Sequence, residues 1–177
     1  MTAPKPNIYL MGFMGCGKTK IGSLLARSLG RPFVDTDACI VEETGLTINE
    51  IFKRSGEKGF REIEKEVIRR ISRTEAGVIS LGGGSVIMPE NWEAISESGI
   101  TIALSYPPEI LASRLERKRD RPLLKGMSGA QRIQYIKDLL SAREPFYRRA
   151  ELVLHLNREL GPQTVADMLL HYIKERG

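Results

Sequence analysis

The sequence predicts an α/β protein in which helices flank a single parallel β-sheet. The chain has 177 residues, which is the usual size of one domain. Five short apolar runs alternate with longer stretches of helical period, the pattern of consecutive βα units. A glycine-rich loop follows the first apolar run and precedes an amphipathic helix, an arrangement typical of phosphate-binding α/β domains.

Each of the five runs is short and apolar enough to be a buried strand. The predicted strands cover residues 8–11, 32–34, 78–81, 101–104 and 152–155. Three helical faces recur at the spacing of an amphipathic helix. The first face comprises Ile21, Leu24, Leu25, Ser28 and Leu29, the second Phe60, Ile63, Val67 and Ile71, and the third Val165, Met168, Leu169, Tyr172 and Ile173. We predict that all three faces pack into the core and that Gly30 ends the first helix.

The composition is that of a soluble globular protein with a small positive charge. Hydrophobic residues make up 41% of the chain, which is enough for a core, and the formal charge of +5 suits anionic small molecules as well as nucleic acid. Cys16 and Cys39 are too few for a disulfide framework, and no Cys/His cluster has zinc spacing. No apolar run approaches the length of a membrane span or a signal peptide. We expect a cytoplasmic, monomeric protein without a membrane or nucleic-acid partner.

Residues 12–19, Gly-Phe-Met-Gly-Cys-Gly-Lys-Thr, match the P-loop pattern G-x-x-x-x-G-K-[ST]. The glycines allow a turn whose N–H groups point inward, and the following helix N-terminus adds partial positive charge. Lys18 can reach the β- and γ-phosphates of a nucleoside triphosphate, and Thr19 offers a hydroxyl to Mg²⁺. Cys16 occupies a variable position, where a small filling residue is favoured over a reactive thiol.

A P-loop alone leaves open a GTPase switch, a motor and a small-molecule kinase. A GTPase would need D-x-x-G and N-K-x-D motifs, and neither occurs in the sequence. The third predicted strand has no acidic residue, so a carboxylate for the metal must come from elsewhere. Asp35 and Asp37 follow the second strand, and the carboxyl ends of parallel strands meet at one edge of the sheet. A helix N-cap at Asp37 is the alternative interpretation, and it explains only one of the two aspartates.

Two arginines predict an acceptor that carries a carboxylate. Arg61 follows Phe60 on a predicted helix with Glu64 three residues later, and Arg143 stands directly before Glu-Pro-Phe-Tyr at 144–147. A planar guanidinium suits bidentate binding of a carboxylate, although either arginine taken alone is more often an exposed surface residue. Three successive glycines after the third strand let the backbone approach a ligand closely. They are Gly82, Gly83 and Gly84.

These motifs together resemble those of the shikimate kinases. The matching segments follow the family's order, with the P-loop at 12–19, Asp-Thr-Asp at 35–37, Gly-Glu-Lys-Gly-Phe-Arg-Glu-Ile-Glu at 56–64, triple glycine at 82–84, Arg-Pro-Leu-Leu at 121–124 and Arg-Glu-Pro-Phe-Tyr at 143–147. The P-loop indicates only a large superfamily, whereas the combination of the other segments is specific. A looser match covers residues 157–162, which correspond to an adenine-contacting loop.

The resemblance implies a three-layer P-loop kinase fold like that of the nucleoside monophosphate kinases. One domain covers residues 1–177, with a five-stranded parallel sheet in the order 2-3-1-4-5. A substrate-binding region is expected near residues 36–64 and a mobile lid near residues 117–129. The lid segment contains several basic residues, as expected of a loop that closes over anionic ligands, and taken alone it is equally compatible with an ordinary solvated surface loop.

The resemblance also implies transfer of the γ-phosphoryl group of ATP to shikimate, with Mg²⁺, in aromatic amino acid biosynthesis. Asp37 would orient the attacking hydroxyl and accept its proton, Lys18 and Arg121 would stabilise the transferred phosphoryl group, and Thr19 and Asp35 would hold the metal. The residues expected to bind ATP are Gly12, Met14, Gly15, Cys16, Gly17, Lys18, Thr19, Lys20, Arg114, Arg121 and Arg158. Those expected to bind shikimate are Asp37, Phe60, Arg61, Gly82, Gly83, Gly84 and Arg143.

Two other functions are compatible with the P-loop. A kinase of another small hydroxy compound, such as gluconate, would not need two arginines with this spacing. A noncatalytic ATP-responsive protein would be expected to lack Asp37 or Arg121, and both are present.

Overall fold

A five-stranded, fully parallel sheet forms the centre of the computed structural model, which describes residues 6–117 and 127–176. The strands are β1 (Asn7–Gly12), β2 (Phe33–Asp35), β3 (Val78–Ser80), β4 (Gly99–Ser105) and β5 (Leu152–His155). Their order across the sheet is β2-β3-β1-β4-β5, which confirms the predicted order. Each predicted strand is present, with boundaries that differ by no more than a few residues.

Helices connect the strands and flank the sheet. They are α1 (Lys18–Leu29), α2 (Thr36–Thr44), α3 (Ile48–Ile71), α4 (Pro89–Ser98), α5 (Pro108–Glu116), α6 (Gly129–Tyr147) and α7 (Pro162–Lys174), with a short 3₁₀ helix at Ser85–Ile87. α1 packs against α7, α3 against α4, and α5 against α6. No helix within the described segments combines the length and apolar character needed to cross a membrane.

The strand register brings three loops to one edge of the sheet. Leu10 of β1 pairs with Ser80 of β3, and Ser80 pairs in turn with Asp35 of β2. The three strands therefore end at nearly the same level, and all three continue into loops on the same side. This edge holds the P-loop, the start of α2 and residues 82–84, as expected where ligands bind to an open parallel sheet.

The core is formed by the central strands and the apolar helix faces. Every residue of β1 is buried, because this strand is covered on both faces. The three predicted helical faces supply buried side chains, including Ile21, Phe60 and Val165. Two members of the predicted set are wrong: Ser28 on α1 is exposed, and Met168 on α7 is 42% exposed, with Ala166 buried instead.

Two local features shape the region of residues 36–64. Thr47 and Glu50 form a capping box at the start of α3, in which each side chain accepts a hydrogen bond from the other residue's backbone N–H. α3 is broken at Gly56, whose φ of +65° lies in the left-handed region that favours glycine. The break lets the second part of α3 run back toward the sheet and carry Phe60, Arg61 and Glu64 to its edge.

Most of the predicted lid lies outside the described residues. Residues 118–126, which include Arg121, are in this part of the chain. α6 begins at Gly129 after a capping box between Ser128 and Gln131.

Candidate active site

A cleft of about 690 Å³ opens at the carboxyl edge of β1, β2 and β3. Its walls come from the P-loop, α1, the start of α2, the second part of α3, the loop after β3 and the end of α6. The predicted site residues that line it are Met14, Gly15, Gly17, Lys18, Thr19, Lys20, Asp35, Asp37, Phe60, Arg61, Gly82, Gly83, Gly84 and Arg143. The cleft thus brings the phosphate motif and the acceptor motifs together, although they are separated by up to about 130 residues in the chain.

The P-loop has the backbone that its glycines predict. Gly12, Gly15 and Gly17 have φ values of +141°, +81° and +97°. A methyl group at position 12 would also lie 2.6 Å from the carbonyl oxygen of Leu104, so β4 leaves no space for a side chain there. Gly17 is the N-cap of α1, and the helix N-terminus therefore points toward the cleft.

Lys18 is folded over the P-loop. Its Nζ donates hydrogen bonds to the carbonyl oxygens of Gly12 and Phe13 at 2.8 and 3.2 Å and lies 3.7 Å from Cys16 Sγ. Cys16 is fully buried, which agrees with a filling role for this thiol. The side chain of Lys18 is thus positioned at the loop that would surround the phosphates.

Thr19 and Asp35 form the candidate metal-binding pair. The Thr19 hydroxyl donates a hydrogen bond of 2.7 Å to Asp35 Oδ2. Asp35 Oδ1 accepts from the N–H groups of Asp37 and Ala38, so Asp35 is the N-cap of α2. The alternative interpretation, in which Asp37 is the N-cap, is therefore wrong. It assumed that α2 begins at residue 38, whereas α2 begins at Thr36 and its N-cap is Asp35.

The oxygen donors of Thr19 and Asp35 suit Mg²⁺, a hard cation that prefers hydroxyl, carboxylate and phosphate oxygens. Within the described residues, no group of three or more Asp, Glu, His or Cys side chains could hold a metal. This donor set is therefore suited to an ion that arrives with, and is mainly coordinated by, a nucleotide's phosphates.

The three glycines after β3 make space for charged side chains. A methyl group at Gly82 would lie 2.8 Å from Asp37 Oδ1, and one at Gly83 would lie 3.4 Å from Arg143 Nη1. A methyl group at Gly84 would overlap the Arg61 guanidinium. None of these glycines has a positive φ, so no unusual backbone conformation requires glycine here. At positions 82 and 84 glycine is required because a larger residue would collide with the neighbouring charged side chains.

Arg61 is held by a buried ion pair. Its Nη1 lies 2.6 Å from Glu64 Oε2, and the other oxygen of Glu64 accepts a hydrogen bond of 2.6 Å from the Ser85 hydroxyl. Glu57, which is exposed, forms a second and longer ion pair of 3.3 Å with the same guanidinium. Burial lowers the pKa of Arg61, but the charges and hydrogen bonds of Glu64 and Glu57 outweigh it and raise the pKa above the ordinary value.

Substitution of Glu64 and of Glu57 is expected to cost different amounts of folding stability. Glu64→Ala is expected to lower the free energy of unfolding by about 3 kcal/mol, because it leaves Arg61 without its buried partner. Glu57→Ala is the matched control, since its side chain is 71% exposed, and it is expected to cost no more than about 0.5 kcal/mol. Urea unfolding of both variants checks this expectation. Equal losses of stability would contradict the assignment of Glu64 as the main support of Arg61.

Arg143 lies on α6, one helical turn before the end of the helix. Its guanidinium carbon is 5.7 Å from the centre of the Phe13 ring, which belongs to the P-loop. Among the described residues Arg143 forms no ion pair, in contrast to Arg61. Arg61 and Arg143 both line the cleft, and both lie beside the glycine loop at 82–84. The structure therefore brings the two predicted arginines to the same part of the cleft.

Arg114 and Arg158, which were predicted to bind ATP, lie outside the cleft lining. Arg114 packs over the Tyr106 ring at 4.1 Å, pairs with Glu159 at 3.2 Å, and donates to the carbonyl oxygen of Cys16 at 3.4 Å. Burial lowers the pKa of Arg114, whereas Tyr106 and Glu159 raise it, and the net shift is upward. Arg158 is exposed, and its neighbour Glu159 makes the contact from the loop after β5.

Some cleft residues were not predicted from the sequence. Ile48 and Phe52 line the cleft, and the rings of Phe52 and Phe60 stack with their centres 4.7 Å apart. Ile48 and Phe52 lie in the first part of α3, before the break at Gly56. Their place in the cleft can be predicted only when the break in this helix is known. Ser23, Arg27 and Phe33 extend the lining along α1 and β2.

The parallel sheet, the P-loop and the cleft beside it define a P-loop kinase. A model of the shikimate kinase family matches residues 14–174. Shikimate kinases from Thermosynechococcus vestitus and Caldicellulosiruptor bescii are 43% and 42% identical over 93% and 96% of this chain, and over 87% and 97% of their own lengths. The chain therefore belongs to the shikimate kinase family.

Solved structures of the family agree with this assignment. Shikimate kinase from Acinetobacter baumannii, solved in complex with shikimate, superposes with a TM-score of 0.89 at 38% identity and covers 97% of this chain and 94% of its own. Shikimate kinase from Aquifex aeolicus superposes with a TM-score of 0.81 at 35% identity, over 96% of this chain and 97% of its own. These likenesses confirm the fold that the sequence motifs predict.

Proposed function

We propose that this protein transfers the γ-phosphoryl group of ATP to the 3-hydroxyl of shikimate, as a step in aromatic amino acid biosynthesis. The observation that carries the proposal is the convergence of Lys18, Asp37, Arg61 and Arg143 on one cleft. The ammonium group of Lys18 suits the phosphates of ATP, and the carboxylate of Asp37 suits the hydroxyl that attacks. The two guanidinium groups suit the carboxylate of shikimate.

The P-loop is the proposed phosphate end of the cleft. Its amides, the N-terminus of α1 and Lys18 supply positive potential, and in this proposal Lys18 exchanges its bonds to the Gly12 and Phe13 carbonyls for the transferred phosphate. Thr19 and Asp35 would hold Mg²⁺ next to these phosphates. When bound, the ion neutralises phosphate charge during transfer.

The loop at 82–84 lies at the proposed acceptor end. Arg61 and Arg143 bind the carboxylate of the acceptor, and Asp37 orients its hydroxyl and accepts the proton that leaves on transfer. Phe60 and Phe52 form an apolar wall against which a carbon ring can pack. Arg121, proposed from the family resemblance to stabilise the transferred phosphoryl group, lies outside the described residues.

A comparison of shikimate with its neutral carboxamide tests the acceptor end. Two guanidinium groups would each lose charge-assisted hydrogen bonds of about 1.5–3 kcal/mol, so the amide is expected to bind at least about 100-fold more weakly by calorimetry. Arg143→Ala is expected to reduce this preference for the acid to about tenfold, because one of the two groups is gone.

Arg148→Ala is the control, since Arg148 lies next to the end of α6 but is exposed and paired with Glu144. It is expected to leave the preference for the acid unchanged. Equal affinity of the wild-type protein for acid and amide would show that the arginines do not bind a carboxylate, and would favour a kinase of an uncharged hydroxy compound.

The sequence-based expectations of a monomer in the cytoplasm stay predictions. The expected location rests on the small number of cysteines and on the absence of an apolar run of membrane length.

A further inference from the structure

The hydroxyl of Tyr147 connects the end of α6 to Gly83, a cleft residue 64 positions earlier in the sequence. Tyr147 is the last residue of α6, and its side chain is buried, with 8% of the residue exposed. Its Oη donates a hydrogen bond of 2.6 Å to the carbonyl oxygen of Gly83. The end of α6 is thus fastened directly to the middle of the triple-glycine loop.

The same glycine lies beside Arg143. Arg143 and Tyr147 are four residues apart on α6, so their side chains lie on one face of the helix. A methyl group at position 83 would lie only 3.4 Å from Arg143 Nη1 and 3.5 Å from the Gly12 carbonyl oxygen. The Gly83 peptide is therefore packed among the Tyr147 hydroxyl, the Arg143 guanidinium and the first residue of the P-loop.

The environment keeps the Tyr147 hydroxyl in its donor form. Burial raises its pKa to about 12, and the positive charge and hydrogen bonding of Arg143 oppose this shift only in part. A protonated hydroxyl donates one hydrogen bond and can accept others. It can therefore bond to Gly83 and accept from the Arg143 guanidinium at the same time.

We propose that Tyr147 is a positioning residue for the acceptor, because its hydroxyl fixes the Gly83 backbone and orients the Arg143 guanidinium toward the acceptor carboxylate. The proposal rests on the proposed function for the identity of the acceptor. An arginine side chain loses considerable rotamer freedom when it binds a ligand, and a guanidinium oriented in advance loses less. The hydroxyl is expected to act on acceptor binding and to have little effect on the nucleotide.

Tyr147→Phe tests the inference, and Tyr9→Phe is its matched control. Tyr9 is also buried, and its hydroxyl forms a hydrogen bond of 2.6 Å with Ser98, which does not line the cleft, whereas Gly83, the partner of Tyr147, does. Each variant removes one buried hydroxyl from an otherwise unchanged ring, so both are expected to lose similar stability.

The expected difference is in steady-state kinetics. Tyr147→Phe is expected to raise the KM for shikimate about tenfold, with kcat and the KM for ATP changed by no more than about twofold. Tyr9→Phe is expected to leave kcat and both KM values within about twofold of the wild-type values. If Tyr147→Phe leaves the shikimate KM unchanged, or raises both KM values equally, Tyr147 is only a packing residue and the inference is wrong.

Amide hydrogen exchange supplies a second readout that does not depend on the reaction. The N–H groups of residues 83–85 are expected to exchange faster in Tyr147→Phe than in the wild type, and at wild-type rates in Tyr9→Phe. Unchanged exchange at these residues in Tyr147→Phe contradicts the inference even if the proposed function holds. A wild-type protein that does not phosphorylate shikimate overturns the proposed function, and the exchange experiment then still decides whether Tyr147 holds the Gly83 backbone.

Discussion

Lys18→Ala is expected to lower kcat by at least about 10³-fold. Lys18 is the one lysine of the P-loop motif, and its Nζ lies at the mouth of the loop, bonded to the carbonyl oxygens of Gly12 and Phe13. Phosphoryl transfer moves negative charge onto oxygens that this ammonium group would contact. Because this charge develops mainly in the transition state, loss of the contact raises the barrier for phosphoryl transfer. The variant is therefore expected to lose more in kcat than in affinity for ATP.

The fold of the Lys18→Ala variant is expected to survive. Within the described segments the Lys18 ammonium group bonds to carbonyl groups of its own loop and to the Cys16 thiol, and the glycines of the P-loop adopt their φ values without help from its side chain. Lys137→Ala, which removes an exposed lysine of α6 paired with Glu109, is the control for loss of one positive charge. A kcat within tenfold of wild type in pure, folded Lys18→Ala would contradict the assignment of residues 12–19 as the phosphate site.

Asp37→Asn is expected to lower kcat by about 10²- to 10⁴-fold, the usual contribution of a general base. The amide has the same shape as the carboxylate, so it can keep its place beside Gly82, where a methyl group on the glycine would lie 2.8 Å from Oδ1. It cannot accept a proton from the attacking hydroxyl. The KM for shikimate is expected to change by only a few-fold, since the arginines would still bind the acceptor carboxylate.

Asp138→Asn is a suitable control for the change in charge, because Asp138 is exposed on α6 and accepts a hydrogen bond from Gln134 on the same helix. Single-turnover measurements separate phosphoryl transfer from product release in both variants. If Asp37→Asn raises the KM for shikimate and leaves the rate of transfer unchanged, Asp37 binds the acceptor but does not take its proton.

The phosphate half of the site could be predicted from sequence because its chemistry is local. Eight consecutive residues set the turn, the lysine and the hydroxyl, and the following helix shows its own apolar face. The placement of Asp35 and Asp37 beside the P-loop also follows from a general rule, since the ends of parallel strands share one edge of the sheet. The order of the strands, in contrast, came from the family resemblance and not from periodicity.

The contacts that orient the acceptor half depend on distant parts of the chain. Glu64 is visible in the sequence three residues after Arg61, but its second bond, to Ser85, follows from where the loop after β3 meets α3. The bond from Tyr147 to Gly83 likewise depends on where α6 ends relative to the sheet. Asp35 became the helix cap because α2 starts directly after β2, a boundary that propensities do not define to within one residue. Such contacts need the three-dimensional structure.

The most direct test of the proposed function is a coupled assay of ADP release by the pure protein with ATP, Mg²⁺ and one acceptor at a time. Shikimate is expected to stimulate ADP release strongly, with one phosphate ester formed per ADP by ³¹P NMR. Gluconate is expected to leave the rate at the level seen without an acceptor, and Lys18→Ala to abolish the stimulation. A protein that releases no more ADP with shikimate than without it, or that responds equally to gluconate, would contradict the proposed function.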